Sequence, residues 1–505
     1  MIMKKTLSLT TYRLTFGFLV LTGIMLPTAC SDFLDKPLQG ELTQESFPTT
    51  AADALLATNA VYNITRSSSF HFGLFPIMDI MSDDGYKGSN PSDAASDVGP
   101  YDTFKHIPTE GNVKRWWNTL YEGVKRANVV IEKVPTITMD VTLSKRYIAE
   151  ASYLRALFYF DLVRAWGGVP KVTSAITQPG LVRASSDEIY QLIEQDLLLA
   201  ISGLSEKSEM SANDLGRATK GAAKALLARV YLFKKDFVNA EKYALEVINS
   251  GQYSLEPIFN NANSESGEHG IESVYEIGAL RFEGIENGGN SYGQVQGVRG
   301  TPNRGWGFNR PSLNLMAAFE PNDPRKEATI LFLGEVIDGV TIAGDGTTLD
   351  ETKDANGNVI EIECYNQKVW TPGSTVPAQF GHNRRIIRYA DVLLMAAEAM
   401  NENGKSAQAL PYLNQVRARA RSGNAGILSD ITDTNKASLR DKILNERRVE
   451  LALEGHRFWD LLRTGKAQQV LGPLGFITGK HEVLPLPQNE IDLSQGALKQ
   501  NPNWN

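Results

Sequence analysis

Apolar positions recur along this chain mostly at helical spacing. Between residues 144 and 165, Tyr147, Ala151, Leu154, Phe158, Leu162 and Ala165 follow one another at steps of three or four, the stripe of an amphipathic helix. Trp166-Gly167-Gly168-Val169-Pro170 then ends it, because Gly closes a helix and Pro cannot continue one. The same periodicity predicts helices over 53–62, 113–133, 187–199, 218–234, 237–249, 388–401, 407–420, 437–454 and 458–462.

Two helix pairs share a pattern of small residues. Ala228 and Tyr231 are followed 12 residues after Ala228 by Ala240, with Tyr243-Ala244 one turn on. Ala397 and Met400 are followed at the same spacing by Ala409, with Leu413 one turn on. Lys235-Asp236 and Gly404-Lys405 occupy the turns. Small residues there let two helices pack back to back, as in tetratricopeptide hairpins. The stretch between the pairs, 251–385, is rich in Gly, Asn and Pro. Its short apolar runs, 329–333, 335–342 and 359–363, predict loops and small hairpins. A second loop region is expected over 67–111. Long loops on a rigid scaffold are where binding resides.

The 505 residues include 51 Lys+Arg and 58 Asp+Glu, a net charge of −7, which argues against broad nucleic-acid binding. Two cysteines, Cys30 and Cys364, exclude a disulfide framework and a Cys-based zinc site. The first 30 residues read as a targeting segment. Lys4, Lys5 and Arg13 precede an h-region over 14–26 that is apolar apart from Thr and Gly, and Thr28-Ala29 stand before Cys30. This resembles a bacterial lipoprotein box, with Pro27 where Leu is preferred. It implies cleavage after residue 29, acylation of Cys30 and a mature charge of −10. Cys364 is then a lone, buried thiol.

Several motifs point to chemistry and fail in context. Gly289-Asn290-Ser291-Tyr292-Gly293 matches G-x-S-x-G but follows a loop rather than a strand. Residues 352–363 imitate a calcium loop, yet Thr352 stands at the first ligand position and Asn356-Gly357 reads better as a hairpin turn. Gly404-Lys405-Ser406 lacks the first Gly of a phosphate loop, and His481-Glu482 lacks the second His of a zinc helix. Asp79, Asp83 and Asp84 form an acidic cluster suited to a cation or, more often, to a solvated turn. Glu446 to Glu450 and His456 to Asp460 resemble an active-site constellation. They read as structural ion pairing, with Arg447 and Glu450 an i, i+3 pair.

Longer matches carry a family. Cys30-Ser31-Asp32-Phe33-Leu34-Asp35-Lys36-Pro37 resembles the mature start of SusD/RagB lipoproteins. Arg388-Tyr389-Ala390-Asp391 through Glu398, Glu446-Arg447-Arg448-Val449-Glu450-Leu451, and Gly455-His456-Arg457-Phe458-Trp459-Asp460 resemble the family's late helices. Gly305-Trp306-Gly307-Phe308-Asn309-Arg310-Pro311-Ser312, Asn322-Asp323-Pro324-Arg325 and the tail from Leu484 to Trp504 fit as well, in the family's order.

The resemblance implies a mostly α SusD-like fold with tetratricopeptide-like hairpins and long loop and small-hairpin insertions. The expected division is a signal peptide over 1–29 and one domain over 30–505. Within that domain lie a helical scaffold (45–250 and 386–465), an insertion (251–385) and a tail (466–505). It implies a non-catalytic outer-membrane surface lipoprotein, without cofactor or metal. Such a protein captures oligosaccharides, or in some members peptides, and passes them to a SusC-like TonB-dependent transporter. The helical side is implied to face the transporter and the loops to carry the ligand.

A glycan site needs aromatic faces and polar side chains. The candidates are Phe72, Tyr86 and Tyr101 with Asp83, Asp84 and Asn90, and Tyr292 and Trp306 with Arg281, Asn287, Gln294 and Arg299. Tyr86, Tyr101 and Tyr292 are preferred for contact. Trp306, set between Gly305 and Gly307, is read as a structural anchor.

Overall fold

The computed structural model describes residues 47–176, 180–280, 290–373 and 381–504. Local capping starts the helices where the periodicity places them. Helix α1 (Ala51–Arg66) opens with a capping box: Thr50 Oγ1 accepts the Asp53 N–H at 3.2 Å and Asp53 accepts the Thr50 N–H at 3.0 Å. Helix α2 (Ser68–Phe75) runs into a π-helical turn, Pro76–Ile80. Then come α3 (Gly111–Lys133), α4 (Val141–Trp166), α5 (Ser186–Gly203), α6 (Lys220–Lys234) and α7 (Phe237–Ile248). Short helices α8 (Phe259–Asn263) and α9 (Ser291–Gln296) precede α10 (Tyr389–Glu402), α11 (Ser406–Ala420), α12 (Lys436–Glu450) and α13 (Arg457–Arg463).

From α3 to α7 each long helix packs on the next, and α7 then packs on α10, which packs on α11 and α12. The helical stack is therefore continuous in space although the chain interrupts it. Ala228, Ala240, Ala244, Ala397, Ala409 and Leu413 expose no surface, so the small-residue spacing marks the close helix contacts.

The insertion leaves and re-enters the stack through one antiparallel pair, β2 (Ser273–Ile277) with β10 (Arg384–Arg388). A second pair joins the two loop regions: β1 (Gly85–Gly88) lies antiparallel to β3 (Phe308–Pro311), with Tyr86 opposite Arg310. β4 (Ile330–Phe332) pairs with β9 (Cys364–Asn366). Two hairpins complete the insertion, β5 (Val336–Ile337) with β6 (Val340–Thr341) and β7 (Glu351–Lys353) with β8 (Val359–Ile362). The calcium-like segment is thus a hairpin. Asp354 ties its turn by accepting the Asn356 and Asn358 N–H groups at 2.9 Å each.

Two expectations are corrected. The region 67–111 is not loop throughout: Phe70, Leu74 and Phe75 of α2 are core residues, so α2 is a buried helix too short to show a period. Arg447 does not pair with Glu450. Arg447 binds Asp391 at 2.6 Å and Asp460 at 3.1 Å. Glu450 instead belongs to a buried ionic lattice that joins insertion and stack. Arg325 binds Asp323 (2.8 Å), Glu446 (2.5 Å) and Glu450 (3.1 Å). Arg388 binds Glu454 (2.8 Å), Glu450 (3.2 Å) and Glu272. Arg419 binds Glu272 at 2.8 Å and Glu450, and Lys368 binds Glu454 at 2.7 Å. Burial opposes ionisation of Glu450, but Arg419, Arg388, Arg325 and Lys368 outweigh it and hold the carboxyl at about 2.

Candidate functional site

The β1–β3 pair brings the two loop regions together, and at its edge Trp306 presents its ring to solvent. The residue is 42% exposed, and it is the one exposed aromatic among the described residues. The backbone beneath explains this. The Trp306 N–H donates to Gln294 O at 2.8 Å, the Gly307 N–H to Gly297 O at 2.9 Å, and the Ser89 N–H to Gly307 O at 2.6 Å. A Cβ on Gly305 would stand 2.4 Å from Gln294 O, and Gly307 holds φ at +72°. Only glycine fits on either side, so the clamped turn leaves the indole outward. The expected structural anchor is corrected: the glycines pin the backbone, and the ring is displayed.

Phe72, half-buried on α2, meets this ring edge-on, with centroids 6.2 Å apart. The Arg115 guanidinium lies 5.0 Å from the Phe72 centroid. Arg115 Nη1 donates to Asn112 Oδ1 at 2.7 Å, and Asn112 Nδ2 donates to Asp97 O at 2.7 Å, which fixes α3 to the first loop. Trp306, Phe72 and Arg115 form one aromatic and cationic face. Asn90 follows Ser89, the residue whose N–H is held by Gly307 O. Its Oδ1 accepts from Ser92 N–H (3.1 Å) and Oγ (2.8 Å). At the N-terminal end of α3, burial and the Asp97 charge raise the Glu110 carboxyl to about 7.

The other candidates do not join this face. Tyr101 exposes nothing and stacks on His106 at 4.8 Å. Tyr292 is buried against His382 at 6.2 Å and under the Arg384 guanidinium at 5.4 Å. Tyr86 is half-buried, and its hydroxyl donates to Ile360 O at 2.7 Å, tying β1 to the β7–β8 hairpin. Gln294 is buried and serves through its backbone carbonyl. Asp83 and Asp84 form neither a solvated turn nor a cation site. Asp83 binds Arg457 (2.7 Å) and Arg448 (2.9 Å), and Asp84 binds Arg448 (2.6 Å), with both carboxylates buried. Arg299 is engaged by Asp345 and by Asp93 at 3.2 Å. Cys30, Arg281 and Asn287 lie outside the described residues. Sequence reasoning missed Arg115, because nothing in the pattern of α3 separates it from other exposed helix cations.

The face can stack on an apolar surface and donate hydrogen bonds. Ser291 Oγ, the serine of the G-x-S-x-G match, makes no hydrogen bond. A cavity of about 650 Å³ between α1, the 213–217 turn and β2 shares no residue with the face. In its lining Arg217 binds Glu150 at 2.7 Å and His269 contacts Glu276 at 2.9 Å.

A stack of helical hairpins, with Trp306 of the insertion set against Phe72 of α2, defines a repeat-scaffold protein that displays an aromatic face. The chain belongs to the SusD family. The model described as SusD family matches residues 256–482, and one described as starch-binding associating with outer membrane matches residues 82–232. SusD-like protein P2 of Formosa agariphila is 29% identical, covering 98% of this chain and 99% of the relative. A solved laminarin binding SusD-like protein is 30% identical, with a TM-score of 0.75, covering 90% of this chain and 100% of that one. Surface glycan-binding protein A of Bacteroides thetaiotaomicron, solved in complex with laminarihexaose, is 27% identical with a TM-score of 0.75. It covers 90% of this chain and 100% of that one.

Proposed function

We propose that this protein captures oligosaccharides at the cell surface through the Trp306–Phe72–Arg115 face. It is held there by acyl chains on Cys30 and delivers its cargo to a SusC-like TonB-dependent transporter without chemical change. The exposed, backbone-clamped Trp306 ring carries the reading: an indole face covers the C–H surface of a sugar ring, and Arg115 and Asn90 can meet its hydroxyls. Family membership and two relatives that bind laminarin or laminarihexaose support it. Among the described residues no helix is long and apolar enough to cross a membrane, which fits attachment through lipid alone.

The test is affinity electrophoresis in laminarin and a panel of neutral polysaccharides, followed by calorimetry on the retained ligand. Trp306→Ala is expected to lower affinity at least about tenfold with an unchanged melting temperature. Undiminished affinity in that variant refutes the site. Release of smaller sugars during the assay refutes the non-catalytic role.

A further inference from the structure

A second cleft opens on the insertion, next to the turn that displays Trp306. Its volume is about 390 Å³, and its lining includes Phe259, Asn260, Asp338, Gln367 and Trp370. Asp338-Gly339 is a two-residue hairpin loop between β5 and β6 with both residues at positive φ, +52° and +75°, the twist that such a short connection needs. The hairpin tip therefore carries Asp338 in a fixed place, and Asp338 Oδ2 accepts the Trp370 indole N–H at 2.6 Å. The Arg304 guanidinium packs over the Trp370 ring, 5.5 Å from a ring centroid. Trp370 is half-buried and held from two sides. Phe259 of α8 adds a second aromatic, itself packed by Lys368 and Arg419 at 5.1 Å each.

The polar lining is of the kind that reads hydroxyls. The side-chain amides of Asn260 and Gln367 remain available, whereas Lys368 is committed to Glu454 at 2.7 Å. An acidic sugar would meet Asp338 and no uncommitted lysine, so the lining selects a neutral one. Arg304 links this cleft to the exposed face. It lies two residues before Trp306 in the same clamped turn, with its N–H on Val298 O at 2.8 Å.

We propose that the Trp370 cleft is a second carbohydrate subsite, taking neutral sugars of the same oligosaccharide that lies on Trp306. The proposal rests on the glycan-capture reading above. Two linked subsites make the second contact intramolecular, so affinity rises steeply once the oligomer is long enough to reach both.

The experiment is calorimetry on the purified full-length chain in detergent, with laminari-oligosaccharides in a length series from the disaccharide past laminarihexaose. Wild type is compared with Trp306→Ala, Trp370→Ala and Gln367→Ala. The proposal expects Trp370→Ala to leave the shortest bound oligomer unaffected and to weaken the longest about tenfold, with Gln367→Ala smaller in the same direction. Gln367→Ala removes only a surface amide, so it reports on the cleft even if Trp370→Ala loosens the hairpin. If both cleft variants bind every length like wild type while Trp306→Ala loses binding, the second subsite is overturned and the capture reading stands. If Trp370→Ala loses binding and Trp306→Ala does not, the cleft stands as the site and the Trp306 reading falls. If wild type binds no member of the series, both fall.

Discussion

Asp79 has no exposed surface, and burial lifts its carboxyl to about 7. Asn309 Nδ2 at 3.1 Å and the Gly455 N–H at 3.3 Å donate to it and oppose the rise, while Asp84 adds to it. The folded state therefore holds this proton more tightly than the unfolded chain does. Below about pH 4 both states are protonated and the group has no effect. As pH climbs toward 7 the buried carboxyl increasingly disfavours the fold. Asp79→Asn is expected to gain stability over wild type between pH 5 and pH 8, by on the order of one to a few kcal/mol, as seen in paired melting curves. A variant that loses stability at pH 8 would mean that Asn309 and Gly455 require the ionised carboxylate. Asn309 lies on β3, three residues from Trp306, so this carboxyl also braces the turn under the Trp306 face. Burial likewise decides the roles of Tyr101 and Tyr292. Both carry the right ring for a sugar and neither can meet one.

At the scale of elements, the alanines of the hairpins set how closely helices approach. Ala409→Leu is expected to cost about 1–3 kcal/mol by overpacking α11 against its neighbours, measured by urea unfolding, with glycan affinity of the folded variant unchanged. These helices were legible because a long amphipathic element writes its period over many residues, and Ala228–Ala240 and Ala397–Ala409 repeat one spacing. Helix α2 was not, since its eight residues are too few, and too many of them buried, to show a period. The hairpin at 351–362 was readable from Asn356-Gly357, because its turn chemistry is local. The Trp306–Phe72–Arg115 face was only half legible. Phe72 and Trp306 were singled out, yet their exposure depends on partners far along the chain: Gln294 and Ser89 for Trp306, α3 for Phe72. The same non-local packing swallowed Tyr101, Tyr292, Asp83 and Asp84. The ion pairing of α12 was anticipated as structural, but its partners, on the insertion and on other helices, leave no trace in local spacing.

Over the whole molecule the buried ionic lattice is the joint between stack and insertion. Glu450→Gln leaves Arg325, Arg388 and Arg419 short of one counter-charge, and a loss of about 3 kcal/mol or more is expected in chemical unfolding. Glu450 and Glu276 both sit near 2 in the fold, below the ordinary 4.5, against the opposing pull of burial. Their contribution is complete above about pH 4.5 and fades as pH falls toward 2, so wild type should lose stability through that window and Glu450→Gln should lose less. The β2–β10 pair adds a different kind of consequence. Because the insertion departs and returns on adjacent strands, residues 278–383 can be treated as an exchangeable cassette that carries both Trp306 and Trp370. A transplant between relatives must keep a strand that pairs with β1, and it must also bring cations equivalent to Arg325 and Lys368. Without them Glu446, Glu450 and Glu454 would be left with too few counter-ions in a dry interior, and a graft chosen for its aromatics alone would fail to fold.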